Sequence, residues 1–205
     1  DFYVGKGIKK FNFSPILYSG KAVDKNYDVN IDHLIETNLK LMEKINLINN
    51  ECNNIEDYVS EVNISNLLNN LSSLNIYNLC TLSPCGAGHT MLGFDIDGSF
   101  YSCDYFIGNL EFKIGNIYEV DDIKNSIFKN TSVQNLLKRN IDSIKECRMC
   151  TWKNICTYHC ASDSYFNHKT LYKPHSMCEY VKKIIPRIID LLYRKKISIN
   201  NIPLC

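Results

Sequence analysis

The sequence has neither an excess of charge nor a long apolar run. Its 23 Lys and Arg residues stand against 22 Asp and Glu residues, a formal net charge of +1. Nucleic acids and anionic membrane surfaces attract proteins that carry excess positive charge, so this balance argues against both as partners. No stretch of about 18 apolar residues is present, and no transmembrane helix is predicted.

The N-terminus also lacks the basic and then apolar pattern of a secretory signal peptide. The absence of secretory features favours a cytoplasmic protein in which cysteines stay reduced. The chain does not begin with Met. We therefore expect it to be part of a longer protein.

Cysteine, by contrast, is abundant, with ten in 205 residues. The densest group is Cys147-x2-Cys150-x5-Cys156-x3-Cys160, and Cys178 follows it. Two cysteines separated by two residues can bind one metal centre from a tight turn, so this spacing recurs in zinc and iron–sulfur sites. Five cysteines at these intervals predict such a site.

Three interpretations of the cysteines remain open. Disulfides require an oxidising compartment, and a chain of this length with a regular apolar pattern does not need them to fold. Zinc takes four Cys or His ligands, and His159, His168 and His175 lie near the cysteines in the sequence. Iron–sulfur clusters prefer ligation by cysteine alone, and we favour them.

The first part of the chain is predicted to be a strand followed by two helices. Residues 8–17 alternate in part between apolar and polar, which predicts a strand. Apolar residues then recur at helical spacing over 31–47 and over 55–71. We expect Asn30 or Asp32 to cap the first of these helices.

From about residue 80 the chain becomes rich in Gly, Cys and aromatic residues. The Asp97-Gly98 pair predicts a two-residue hairpin turn between strands over 91–96 and 99–103. The other predicted elements are short helices over 123–128 and 133–137, a loop-like segment over 147–178, and a final helix over 179–194 that is weakened near Pro186.

The wider pattern resembles the SPASM domain, the C-terminal auxiliary-cluster domain of many radical SAM enzymes. It runs Cys85-x12-Gly98-x4-Cys103, a gap, Cys147-x2-Cys150-x5-Cys156-x3-Cys160, a second gap and Cys178. Three further segments also match the SPASM pattern: Cys85-Gly86-Ala87-Gly88, Asp97-Gly98-x2-Tyr101-x-Cys103-Asp104 and Lys113-Ile114-Gly115-Asn116-Ile117. The resemblance covers about residues 78–194.

The resemblance implies an α+β fold. The end of a partial (β/α)6 radical SAM barrel would precede a SPASM domain with a small β-hairpin, cluster-binding loops and short helices. We expect the barrel end and bridging helices in residues 1–75, the SPASM domain in 76–194 and a C-terminal tail in 195–205.

The resemblance also implies two auxiliary [4Fe–4S] clusters with interleaved ligands. The first would be held by Cys80, Cys85, Cys103 and Cys160, and the second by Cys147, Cys150, Cys156 and Cys178. The position of Cys80 varies in the family, and without its thiolate the first cluster would have an open iron that can bind a substrate group. Asp104 resembles the catalytic base of sulfatase-maturating enzymes, although a loop carboxylate that bonds backbone amides is the alternative.

The radical SAM motif itself, C-x3-C-x2-C, is absent. This chain alone is therefore not expected to cleave S-adenosylmethionine. The resemblance implies a longer parent that binds S-adenosylmethionine and a third [4Fe–4S] cluster, takes electrons from ferredoxin or flavodoxin, and uses a 5′-deoxyadenosyl radical on a peptide or protein.

Within the family, we expect a maturase of ribosomally made peptides that forms a thioether or related crosslink. The alternatives are an anaerobic sulfatase-maturating enzyme, which forms formylglycine, and a stand-alone electron-transfer module like a ferredoxin.

Overall fold

A computed structural model describes residues 2–16, 29–72 and 82–202. The helices and strands of these ranges are α1 Phe2–Gly5, β1 Lys10–Phe11, α2 Ile31–Asn50, β2 Ser60–Glu61, α3 Val62–Ser72, β3 Gly93–Phe94, β4 Ser99–Tyr101, β5 Lys113–Asn116, α4 Ile123–Lys129, α5 Thr131–Lys138, α6 Lys145–Arg148, α7 Ala161–His168 and α8 Cys178–Tyr193. The fold is a mixture of helices and small sheets, as predicted. No helix in the described ranges is long and apolar enough to cross a membrane.

The first part forms a parallel β–α–β unit. Strands β1 and β2 pair in parallel, and α2 connects them in the chain order. The buried carboxylate of Glu61 joins the unit to the next helix, because it accepts hydrogen bonds from the Ile64 amide at 2.8 Å and the Phe13 amide at 2.9 Å. The strand predicted over 8–17 is thus present, but it is shorter than expected.

The prediction for α2 is confirmed at its start. The Asn30 side chain accepts a hydrogen bond from the His33 amide at 2.9 Å and caps the helix, which continues to Asn50. The helix predicted over 55–71 is wrong in its first half, because α3 begins only at Val62. The side chain of Asn49 bonds both the N–H and the C=O of Val59 at 2.8 Å, and these bonds hold that residue in an extended segment.

A hydrophobic core joins α2, α3 and α8. Its most buried members include Ile35, Met42, Ile45, Leu68, Ile184, Ile185 and Ile188. The final helix is present as predicted, and α8 continues through Pro186. Proline deprives the Lys182 carbonyl of its helical partner, but both residues are exposed, so water can bond that carbonyl.

The predicted hairpin is present, with a longer turn. Gly93 pairs with Tyr101 and Phe94 with Phe100. The Asp95 amide bonds the Ser99 carbonyl, so three residues rather than two form the loop. Gly98, at φ +81°, supplies the left-handed residue that such loops require. A third strand, β5, pairs antiparallel with β4 and was not predicted.

Candidate metal centre

Four of the predicted ligands line one cavity. Cys147 lies in α6, Cys150 and Cys156 lie in the turns that follow it, and Cys178 is the first residue of α8. The turns are built by local bonds, since the Cys150 amide donates to the Cys147 carbonyl at 2.9 Å and the Cys156 amide donates to the Trp152 carbonyl at 2.9 Å. Three closely spaced thiols therefore face a fourth from a separate helix.

The remaining lining of this cavity includes both aromatic or apolar and charged side chains. Trp152, Tyr158, His175 and Val181 lie beside the cysteines, and the charged side chains are those of Glu146, Lys153 and Lys182. Trp152 and Tyr158 lie in the wall, where their rings can shield a cluster from solvent. The cavity holds about 30 Å³, which is room for roughly two waters.

The other described cysteines of the motif form a second group. Cys85 and Cys103 are each 5% exposed and belong to one buried core with Phe106 and Phe112. Cys160 precedes α7, and its Sγ lies 3.0 Å from the Ser162 hydroxyl. In addition to burial, the charge of Cys160 raises the pKa of Cys103, and the charge of Cys85 raises the pKa of Cys160. The three thiols therefore lie close to one another. Cys160 thus groups with Cys85 and Cys103, although Cys156 is its nearest cysteine in the sequence.

Gly93 allows the hairpin to hold Cys103 in place. A Cβ on Gly93 would lie 2.6 Å from the carbonyl carbon and oxygen of Cys103 and 2.7 Å from the amide nitrogen of Asp104. Only glycine permits this approach of β3 to the backbone. Gly93 was not among the predicted site residues, because a glycine in a short strand has no distinctive spacing.

A buried carboxylate braces the segment before Cys178. Asp163 in α7 accepts hydrogen bonds from the Ser176 amide at 2.6 Å and the Ser176 hydroxyl at 2.7 Å. The Nδ1 atom of His175 accepts from the Met177 amide at 3.0 Å. Burial lowers the pKa of His175 to about 4, so the ring is neutral near pH 7. The loop-like segment predicted over 147–178 therefore contains a helix that positions a ligand.

Burial dominates the acidity of the thiols. It raises the pKa of Cys156 to about 12, and burial with the neighbouring Cys160 raises the pKa of Cys103 to about 12. The pKa values of Cys147, Cys160 and Cys178 are raised as well, mainly by burial. Without a metal these side chains are neutral thiols, and binding a metal or cluster would displace their protons.

Arg139 is a buried residue of the site that the sequence analysis missed. It follows α5 and is 3% exposed. Its guanidinium donates to the Leu171 carbonyl at 2.6 Å, the His159 carbonyl at 2.8 Å and the Ser164 hydroxyl at 3.0 Å. Arginine is mostly exposed in proteins and is common near helix ends, so the position of Arg139 in the sequence does not indicate that it is buried.

Of the other predicted residues, Asp104 adjoins the group of Cys85, Cys103 and Cys160. Asp104 follows Cys103, and its side chain is exposed. Cys52 does not line the cavity, and its thiol donates to the Ile48 carbonyl at 3.5 Å. Tyr105, the residue after Asp104, is 40% exposed. Cys80 lies outside the described residues.

The donor set fits an iron–sulfur cluster in its chemistry. Four of the side chains that line the cavity are thiols, the ligands that clusters prefer. Within the described ranges, no three His, Cys, Asp or Glu side chains are arranged to hold a single metal ion. A cluster needs more room than the cavity has, and Cys147, Cys150 and Cys178 are only partly buried, so their side chains can turn outward.

The comparisons with known proteins find one curated relative and several similar folds. No protein-family model matches the sequence. An uncharacterized protein of Archaeoglobus fulgidus is 33% identical over 115 residues, which are 56% of this chain and 27% of that protein. The chain therefore spans about a quarter of the length of that relative.

Among solved structures, the fold is similar to anSMEcpe with bound AdoMet. A histidine-tagged form has a TM-score of 0.70 at 18% identity and covers 98% of this chain and 50% of that chain. The native protein with AdoMet and the Cp18Cys peptide has a TM-score of 0.65 at 18% identity, with 95% and 53% covered. This chain spans about half of those structures, and at these identities the likeness is one of fold.

Proposed function

We propose that this chain is the auxiliary-cluster portion of a radical SAM enzyme that modifies a peptide or protein. The observation that carries the proposal is the division of the cysteines. Cys147, Cys150, Cys156 and Cys178 line one cavity, whereas Cys160 groups with Cys85 and Cys103. This division matches the interleaved ligation that the SPASM resemblance implies.

The cysteines would hold two [4Fe–4S] clusters. The four thiolates around the cavity would bind one of them, and Cys85, Cys103 and Cys160 would bind the other together with Cys80. When bound, the clusters would supply one-electron transfer and, at an iron without a protein ligand, a site for a substrate group. Trp152 and Tyr158 would keep water from the cluster in the cavity, and the thiols would release their protons as the metal binds.

The rest of the catalytic machinery would lie in the remainder of the parent protein. The parent would bind S-adenosylmethionine and a third [4Fe–4S] cluster, and a cytoplasmic ferredoxin or flavodoxin would supply electrons. The β1–α2–β2 unit and α3 would be the end of the partial barrel, and residues 76–194 would form the SPASM domain. The fold likeness to anSMEcpe, which was solved with AdoMet and with peptides, supports this arrangement.

Two substrate chemistries are candidates. Peptide crosslinking by a thioether is the expectation from the sequence. The formylglycine chemistry of an anaerobic sulfatase-maturating enzyme gains support from the structures, since anSMEcpe is such an enzyme. In that case Asp104, beside Cys103, would take the substrate proton. Its exposed side chain would then be covered by the bound substrate or by another part of the parent.

The test uses the full-length parent protein, incubated with S-adenosylmethionine, a reductant and candidate peptides. We expect formation of 5′-deoxyadenosine together with a mass change in the peptide. A crosslink without added oxygen atoms supports the maturase, and conversion of a Cys or Ser to formylglycine supports the sulfatase type. A parent that lacks C-x3-C-x2-C and transfers electrons without cleaving S-adenosylmethionine would contradict the proposal of a radical SAM enzyme. It would support a ferredoxin-like electron carrier instead.

Asp104 is tested in the same assay. Asp104→Asn removes the base, and we expect peptide turnover to fall by roughly 10²–10⁴-fold, the usual contribution of such a base, with the iron content unchanged. Asp121→Asn is the matched control, because Asp121 is also an exposed acidic side chain. Equal turnover in both variants would remove Asp104 from the mechanism.

A further inference from the structure

Arg139 is a buried cation, and its hydrogen-bond partners in the described part of the chain are neutral. Its three acceptors are two backbone carbonyls and a serine hydroxyl. None of the ion pairs among residues 2–16, 29–72 and 82–202 includes Arg139. Burying a guanidinium is costly unless negative charge compensates it. Negative charge close to the guanidinium would offset that cost.

The bonds of Arg139 place it at the wall between the two cysteine groups. His159, whose carbonyl it bonds, borders the cavity of Cys147, Cys150, Cys156 and Cys178. His159 also directly precedes Cys160, a member of the other group. Ser164, which accepts from the same guanidinium, lies one turn further along α7 and donates to the Cys160 carbonyl at 3.3 Å.

Cysteines of both groups lie close enough to Arg139 for their charges to act on it. Burial lowers the pKa of Arg139, and the charges of Cys85, Cys160 and Cys147 oppose that effect most strongly. Cys85 and Cys160 belong to one group and Cys147 to the other. Thiolates that bind a cluster in either group would therefore bring negative charge close to this guanidinium, in addition to the buried carboxylate of Asp163, which directly precedes Ser164.

We infer that Arg139 is the shared counter-cation of the two clusters and raises their reduction potentials. This inference rests on the proposed function, because it requires both clusters to be bound. One-electron reduction by an external low-potential donor adds one negative charge to a cluster, without a bond being made or broken. A fixed positive charge nearby stabilises the reduced form more than the oxidised form. Arg139 also holds the residues on either side of Cys160, so it is a positioning residue as well.

The test is a redox titration of the anaerobically reconstituted chain, followed by EPR and visible absorbance. Arg139→Gln keeps hydrogen-bond donors and removes the charge, whereas Arg139→Lys keeps the charge. We expect the ratio of reduced to oxidised cluster at a fixed potential to fall about tenfold or more in Arg139→Gln, which is about 59 mV for a one-electron couple. Arg139→Lys should restore most of this ratio.

Arg194→Gln is the matched control. Arg194 is an exposed arginine that pairs with Asp190 at 2.8 Å, and we expect the potentials to stay at the wild-type values. Iron and sulfide are measured on every sample. If the wild-type chain binds no iron, the proposed function fails. If Arg139→Gln holds both clusters at wild-type potentials, the proposed function stands and the role of Arg139 is overturned.

If Arg139 only stabilised the fold, the variants would behave differently. Urea unfolding of the cluster-free chains shows whether the variants fold. If Arg139→Gln folds but holds less iron than Arg139→Lys, the charge is required for cluster binding, which supports the inference. If both variants bind iron like the wild type and differ from it only in unfolding, Arg139 serves the fold alone and the inference is wrong.

Discussion

The helical part and the cysteine-rich part of this chain differ in what fills their interiors. In the first, α2, α3 and α8 pack aliphatic side chains such as Ile45 and Ile184 into a continuous core. In the second, residues 82–178 bury cysteines, short strands and single turns, and two of the buried residues are charged groups, Arg139 and Asp163.

This difference indicates two sources of stability. Apolar burial holds the helical part by itself, at roughly 25 cal/mol for each Å² of apolar surface removed from water. The cysteine-rich part has less aliphatic surface to bury and places protonatable thiols where a bound cluster would connect separate segments. The helical part should therefore survive treatments that undo the cysteine-rich part.

Removal of the clusters should give the largest contrast. In hydrogen exchange of the reconstituted and the chelator-treated chain, we expect the amides of Cys150 and Cys156 to exchange roughly a hundredfold faster or more after treatment, since metal binding is linked to local folding. The amides in the middle of α2 should keep their protection. Equal loss in both parts would mean that the helices depend on the clusters.

Loss of one ligand should separate the two cysteine groups. Cys156→Ser removes a thiolate from the cavity, and we expect the chain to retain about half of its iron, the content of one [4Fe–4S] cluster. Cys52→Ser is the control, because the Cys52 thiol bonds a helix carbonyl away from the cavity. If Cys52→Ser loses as much iron as Cys156→Ser, the ligand assignment is wrong.

A substitution in the helical core should affect folding and leave iron binding unchanged. Ile184→Ala removes a fully buried side chain, and we expect the free energy of unfolding to fall by about 2–5 kcal/mol in urea. Ile189→Ala on the exposed face of α8 should change it by less than about 0.5 kcal/mol. A loss of iron in Ile184→Ala at low urea would show that the two parts are not separate in stability.

A further expected effect is a loss of stability at high pH in the cluster-free chain. Burial raises the pKa of Cys103 and Cys156 to about 12, from 9.0 for an unburied thiol. The unfolded chain thus loses these protons first as the pH rises. The stabilisation is complete below about pH 9 and is lost between about pH 9 and 12, by at most about 1.4 kcal/mol per pH unit for each thiol.

Urea unfolding at pH 8 and pH 10.5 measures this slope, and Cys156→Ser provides the comparison. Burial also raises the pKa of Tyr180 to about 12, which adds a slope of the same sign. The difference between wild type and Cys156→Ser isolates the thiol. Identical slopes in the two chains would show that Cys156 is ionised as easily in the folded chain as in the unfolded one.

The sequence predicts the elements that depend on local chemistry. Asn30 caps α2 because its side chain reaches an amide three residues on, and Gly98 takes the left-handed turn of the hairpin because it has no Cβ. These interactions involve neighbours in the chain. Apolar spacing likewise predicts α8. The exposure of Pro186, which lets the helix continue, is visible only in the folded chain.

The elements that the sequence does not predict depend on distant contacts. Strand β5 forms because Gly115 lets Phe100 of β4 approach, and α7 is stabilised through the bonds of Asp163 to Ser176. The sequence around α7, rich in Ser and Asp, favours caps and turns more than helix interiors. Arg139 has ordinary neighbours in the sequence, and only the folded chain shows that it is buried between the cysteine groups.

The most direct test of the account is the metal content of the anaerobically reconstituted chain. We predict about eight iron and eight sulfide per chain, as two [4Fe–4S] clusters require, with no zinc. Zinc bound without iron would contradict the account and leave the cysteines as a structural zinc site.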